Sequence, residues 1–539
     1  MAKRIFSLLV MVALLISVIG CSTAPQATPQ EEAQPQNQQE PTAAPAEQSQ
    51  QEEATKPPAA PTEVVMLDYY IVGANDTDQR PLVEKAINEY IGPLIGANVT
   101  FHIIPWADWS SKAVTAIEAG EKIDIFFTAD WFHYSKLVSE GLLTPLNDPN
   151  GPNGNLLEKY GQDILHSLNP AFIVGSQIDG VNYAVPTNKE LAVPWGFVYN
   201  ATIADAIGFT DEEAAKIKTP ADLEPWLAKA KEKYPDIYPY LTDGTIGFMP
   251  WVHGFASSIS DYVVNMAIAP DASGNWDETI LVPFETDWMK NYLATMRSWY
   301  QKGYIHPDAG LTTFDTNQLM NAGKFFIEPM PLKGYNIKAQ ELVIASGNPD
   351  LKLKEIYAQP KVVCTNDTGG SMLAIPAASE HPVEAMKLIN LMHSDPKLIN
   401  MMLYGVEGVH WNLDPDGRVN ILNSGWISAH PGAWVWGDVT LQKVTNKEDP
   451  NKNQMLIDYS KDALQHPSLG FRFRTEPVAA EITAIQTVVD GMQRALLTGY
   501  VDPEVELPKF LKALKDAGLD KVKAEVEKQY AEWKTKKGQ

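Results

Sequence analysis

Ile123-Asp-Ile-Phe-Phe-Thr-Ala-Asp-Trp-Phe-His133 begins as one kind of structure and ends as another. Ile123, Ile125, Phe126 and Phe127 form an apolar run rich in β-branched and aromatic side chains, which predicts a buried strand. Thr128 and Asp130 interrupt it. In open α/β sheets ligands bind beyond the carboxyl ends of the strands, so Asp130, Trp131 and His133 are expected at the mouth of a crevice. Residues 134–143 then place Leu137, Val138, Leu142 and Leu143 at helical spacing, so strand, polar mouth and helix follow in that order.

The same alternation runs upstream. Residues 63–72 read as a strand, and Asn75 lies in the polar turn after it. Leu82, Val83, Ala86, Ile87, Tyr90 and Ile91 share one helical face behind Pro81, a suitable first-turn residue. A second strand is predicted over 97–104, followed by Trp106 and Trp109, for which core packing is the simpler reading, and by a helix marked by Val114 and Ile117. Strands alternating with helices predict a mostly parallel sheet.

The amino terminus reads as an address. Lys3 and Arg4 precede an apolar run over 5–19 that is short for a membrane span and ends in Val18-Ile-Gly-Cys21. This resembles the lipobox of bacterial lipoproteins. The resemblance implies a signal peptide over 1–21, cleavage before Cys21, and acylation of that thiol by palmitate, which would hold the chain on the outer face of the cell membrane. The other reading is a cleaved signal with an incidental cysteine. Residues 22–62 are rich in Gln, Pro, Glu and Ala, and cannot bury enough apolar surface to offset the entropy of ordering. They are expected to form a disordered tether, with a mean reach on the order of 35 Å.

From residue 63 the composition is globular, and the remaining length exceeds a single core, so two lobes are expected. The net charge of −24, with no Lys/Arg-rich stretch before the last residues, argues against a nucleic-acid partner. Besides Cys21 only Cys364 exists, and it reads as a small buried hydrophobe. The ten histidines include no His-x-x-x-His pair, so no transition metal is expected, nor any cofactor. Residues 147–155 offer oxygens for calcium but lack a closing bidentate Glu, and turn chemistry accounts for their Asn, Gly and Pro.

The motifs "GVNYAVP" (180–186) and "GFVYN" (196–200), with "DIFFTADW" (124–131) and "GLLTPLND" (141–148), resemble the extracellular solute-binding lipoproteins that serve carbohydrate ABC importers. The two helices expected over 375–400 and "YGVEGVHW" (404–411) fit that pattern. "FLKALKDAGLDKVKAEVEKQYAEW" (510–533) fits its larger subfamily with an extended C-terminal region. The resemblance implies a two-lobed α/β fold of the periplasmic-binding-protein type II, with a ligand cleft between the lobes. Lobe 1 would span 63–196 and lobe 2 would span 197–363. Residues 364–539 would return to lobe 1, some of the C-terminal helices contributing to lobe 2. Residues 195–200 and 364–371 are the expected crossings, with Thr368-Gly-Gly-Ser371 as a flexible link. The implied activity is that of a monomeric, non-catalytic receptor that captures an oligosaccharide by lobe closure and presents it to the permease subunits of an ABC importer.

A hydroxyl-rich ligand with an apolar ring face suits indoles combined with hydrogen-bonding side chains. The ligand-binding candidates are Asn75, Asp130, Trp131, His133, Glu190, Trp251, Glu328, Trp411, Trp434 and Trp436. Core packing competes for the tryptophans, since indoles are mostly buried. Two alternatives stand beside the receptor. A secreted glycoside hydrolase would need two carboxylates about 5 to 10 Å apart, and no motif supplies them. A peptide-binding receptor would need a deep channel with charged pockets for the termini.

Overall fold

The apolar run at 125–128 is a fully buried strand at the centre of the first sheet in the computed structural model, which describes residues 64–248, 266–270, 275–358 and 361–537. Strands β1 (Val65–Gly73) and β2 (Ala97–Pro105) pair in parallel, and β1 also pairs in parallel with β3 (Ile125–Thr128), setting Tyr69 opposite Ile125. Between β1 and β2 the helix Arg80–Ile95 buries Val83, Ile87, Ile91 and Ile95, a stripe at intervals of four. Pro81 lies in its first turn, and Gly96 ends it at φ 74°, where a Cβ would be strained.

The short hairpin β4 (Gln177–Ile178) and β5 (Val181–Asn182) leads to β6 (Ala184–Pro186) in the first sheet. The chain then enters β7 (Trp195–Asn200), the middle strand of a second sheet. The hairpin β8 (Ala267–Pro270) and β9 (Trp276–Leu281) precedes β10 (Ile327–Pro331) and β11 (Leu353–Tyr357), which flank β7 and place Phe197 between Pro329 and Ile356. After β12 (Val362–Val363), strand β13 (Met372–Ala374) returns to the first sheet and inserts antiparallel between β3 and β6, giving the order β2-β1-β3-β13-β6. Beyond the hairpin β14 (Trp411–Leu413) and β15 (Val419–Ile421), β16 (Leu464–Gln465) pairs with β12.

Two large apolar cores result. The first holds the first sheet together with Met386, Met402, Trp426 and Trp436, and the second holds β7 together with Leu227, Trp299 and Phe326. The chain moves between them three times: from Ala192 to Phe197, from Ile356 to Val363, and from Leu469 to Phe471. This is the two-lobed α/β architecture the sequence implied. The three C-terminal helices (Ala479–Leu497, Pro503–Asp516, Leu519–Lys537) send Ile485, Phe510, Leu514, Val522 and Val526 into the second core. None of the described helices is long and apolar enough to cross a membrane.

Gly369, in the segment expected to link the lobes, also serves packing. Thr365–Thr368 is a helical turn begun at Cys364, whose backbone N–H donates to Asp367 at 2.8 Å. A Cβ at Gly369 would stand 2.1 Å from the Asp130 carboxylate, so Gly369 permits close packing against the mouth of β3.

Candidate functional site

A cavity of about 1030 Å³ opens between the two cores. That volume is at the upper end for small-molecule pockets and leaves room for more than one ring. Its walls differ in kind.

The first-lobe wall is aromatic. Trp131 follows β3 directly, at the polar break in the apolar run, and Trp434 comes from the short 3₁₀ turn Ala433–Val435. Both are half-buried, with ring centroids 6.3 Å apart. Their edges are tied down: Trp131 donates its indole N–H to the Gly370 carbonyl at 2.8 Å, and Trp434 donates to the Pro431 carbonyl at 2.9 Å. Bonded rings cannot turn freely, so each presents a fixed face.

The rest of the lining includes a charged network drawn from both lobes. Lys333 follows β10, and Lys338 and Glu341 come from the helix Ile337–Ser346. Lys452 opens the helix Lys452–Ser460, and Lys189 with Glu190 lie on the first crossing. Lys333 donates to Glu341 at 3.0 Å, and Lys452 reaches Glu341 at 3.2 Å and Glu448 at 2.5 Å. Glu448 also accepts from the Thr445 backbone and hydroxyl at 2.9 and 2.8 Å. Lys189 contacts Glu190 at 3.2 Å. Burial pushes the Glu341 carboxyl up, but Lys333, Lys452 and Lys338 outweigh it and bring its pKa down to about 2. Glu190 behaves alike, its burial overcome by Lys189 and Lys333, so its pKa lies below the usual value. Burial, and then Lys333, lowers the Lys338 ammonium pKa. The network therefore alternates strong donors and acceptors, which suits hydroxyl groups.

Of the residues expected to bind ligand, Trp131, Glu190 and Trp434 line this cavity. Among the described residues, the others do not. Asp130 turns inward to a buried ion pair with Arg472, because a carboxylate at that depth needs a counter-charge. Burial pushes its carboxyl pKa up against the pull of that guanidinium. His133 sits at φ 68° and contacts the Ser110 hydroxyl at 3.0 Å. Asn75 is exposed in its turn. Trp411 is buried and donates to the Gly405 carbonyl at 3.0 Å. Trp436 is a core residue, edge-on to Tyr69 and Phe101 at 5.9 and 5.8 Å. Glu328 is buried inside β10, and burial lifts its carboxyl pKa to about 8. The end of β10 does reach the cavity, but through Pro331 and Lys333. Trp251 and Cys21 lie outside the described residues.

Sequence reasoning missed Lys189, Lys333, Lys338, Glu341 and Lys452. Lys189 stands beside Glu190, which was among the candidates, and Lys333 stands two residues beyond β10. Among the described residues, no group of three or more His, Cys, Asp or Glu could hold a metal ion.

Comparison with known proteins places these features in context. Residues 467–535 match a domain of unknown function. A Streptococcus pneumoniae protein named carbohydrate ABC transporter substrate-binding protein is 28% identical over 477 residues, covering 87% of this chain and 91% of that protein. The crystal structure of the N-glycan transport solute binding protein of Streptococcus pneumoniae superimposes with a TM-score of 0.75 at 24% identity, covering 88% of this chain and 99% of that one. The same protein in complex with Man5GlcNAc superimposes with a TM-score of 0.67 at 25% identity, again over 88% and 99%. Residues 95–397, more than half of the chain, match the family described as bacterial extracellular solute-binding protein, and the chain belongs to that family.

Proposed function

We propose that the protein is an extracellular receptor that captures an oligosaccharide between its lobes and delivers it to the permease of an ABC importer. The observation that carries this reading is the cavity between the cores, lined by fixed indole faces and by a lysine–glutamate network. Indole faces match the apolar face of a sugar ring, and the charged network matches its hydroxyls. The relative named for carbohydrate transport and the neighbouring structure holding Man5GlcNAc support the same ligand class.

The receptor binds its sugar without altering it, acts as a monomer, and is held at the outer face of the cell membrane by a lipid on Cys21. The charged run, apolar run and Cys21 of the amino terminus support the anchor. The test is calorimetric titration of the folded chain with an oligosaccharide panel that includes Man5GlcNAc, with chromatography of the sugar after prolonged incubation. Saturable binding of an intact sugar is expected. Absence of binding across the panel overturns the carbohydrate assignment, and turnover that copurifies with the protein replaces the receptor with a hydrolase.

A further inference from the structure

Trp106 does not line the cavity, yet its ring belongs to the same aromatic group as Trp131 and Trp434. It follows β2 in the 3₁₀ turn Trp106–Asp108, with its centroid 5.9 Å from Trp131 at 26° and 6.2 Å from Trp434 at 24°. Trp106 is therefore nearly parallel to each of the other two, which are tilted 49° to one another, and the three indoles form one contiguous cluster. Phe132 supports Trp106 at 5.6 Å.

Two properties set Trp106 apart from its neighbours. It is 41% exposed, although an indole is a residue that folding normally covers. Its N–H has no partner among the described residues, whereas those of Trp131 and Trp434 are bonded to backbone carbonyls. Trp131 and Trp434 can thus offer a ligand only their faces, while Trp106 offers a face and a donor.

Resting on the carbohydrate reading above, we propose that Trp106 is an outer subsite, which carries a further sugar unit of a chain whose inner units occupy the cavity. The inner units stack on the bonded indoles. The next unit outward meets an open ring edge whose N–H donates to a hydroxyl or ring oxygen. Ligand length is then read at the rim, and the preferred substrates are chains long enough to leave the cavity.

The test compares Trp106→Ala and Trp106→Phe with the unaltered chain in calorimetric titrations against Man1GlcNAc and Man5GlcNAc, with a melting curve for each variant. For Trp106→Ala the loss of affinity for Man5GlcNAc should exceed the loss for Man1GlcNAc by about tenfold. Trp106→Phe, which keeps a ring but lacks the donor, should fall between. Equal losses for the two sugars, or none, overturn the outer subsite and leave the carbohydrate reading standing. Failure of the unaltered chain to bind either sugar overturns the outer subsite, and the carbohydrate reading is then decided by the wider panel.

Discussion

Arg472 and Asp130 form a buried ion pair across 342 residues of sequence, their side chains 3% and 1% exposed. Arg472 lies just past the third passage between the cores, and Asp130 lies at the mouth of the central strand. The same guanidinium donates to the carbonyls of Gln177, at 3.1 Å, and Gly175, and lies 5.2 Å from the Tyr134 ring centre. One cation thus fastens a crossing segment to the floor of the first lobe. Asp130→Ala leaves that cation buried without a counter-charge and should destabilise the protein by about 3–5 kcal/mol. Urea denaturation measures it, and a loss below about 1 kcal/mol would show that the pair is dispensable.

The two bonded indoles should dominate affinity. Trp131→Ala and Trp434→Ala are each expected to weaken sugar binding by about 2 kcal/mol, roughly thirtyfold, the scale of an aromatic hot spot. Calorimetry gives the affinity. A melting temperature close to that of the parent separates lost stacking from lost fold.

Lys452 joins the helix of Glu341 to the segment carrying Glu448, beside a small apolar cluster of Ile337, Val439 and Leu456. Lys452→Met leaves Glu448 without its ammonium partner and relaxes the grip between these elements. The sugar-free variant should show a larger radius of gyration by small-angle scattering than the sugar-free parent. It should also be less stable, by about 2 kcal/mol or more. Identical scattering would show that other contacts hold the cleft at this edge.

Stability should fall as the medium is acidified. Burial lowers the pKa of His430 to about 4 and that of His393 to about 3, against an ordinary value of 6.5. In His430, Nδ1 accepts from the Gly432 N–H at 3.2 Å and Nε2 donates to the Leu403 carbonyl at 3.0 Å, so a second proton has no acceptor. Below about pH 6.5 the unfolded chain takes up protons that the native imidazoles refuse. The stability they contribute is therefore complete above that pH and is lost as pH falls through the folded values. Each is worth on the order of 3 kcal/mol. Denaturant midpoints at about pH 7.5 and about pH 5 should differ, and His430→Gln should flatten the slope; a slope unchanged in that variant would remove His430 from the account.

The anchor has its own test. Cys21→Ala, expressed in a bacterial host, should leave the protein unprocessed or release it from the membrane fraction. A normally lipidated product in that variant would rule the site out.

The first sheet was legible because burial on both faces writes itself locally, as in Ile125, Phe126 and Phe127. Trp131 was legible for the complementary reason, since polar residues broke the apolar pattern just before it. Asp130, one residue earlier, carried the same signal and turned the other way, because its partner Arg472 stands far along the chain. Trp434 and Trp436 show the limit most sharply. Two residues apart in an aperiodic stretch, one faces the cavity and the other the core, and only packing against Tyr69 and Phe101 separates them. The charged network was hidden because lysines and glutamates on a helix such as Ile337–Ser346 ordinarily mark a solvated face, and its role depends on what surrounds it.

The antiparallel insertion of β13 between β3 and β6 also fixes an order of events. Phe127 and Val185 both await Leu373 as their common neighbour, and the second lobe's sheet is encoded between them and it. A growing or exported chain holding only the first two hundred residues has two facing strand edges without a partner, a surface prone to pairing with other chains. The first lobe can seal only after the second lobe's strands have emerged, so a chain cut before residue 372 would leave β3 and β6 without their shared partner and expose an adhesive sheet edge.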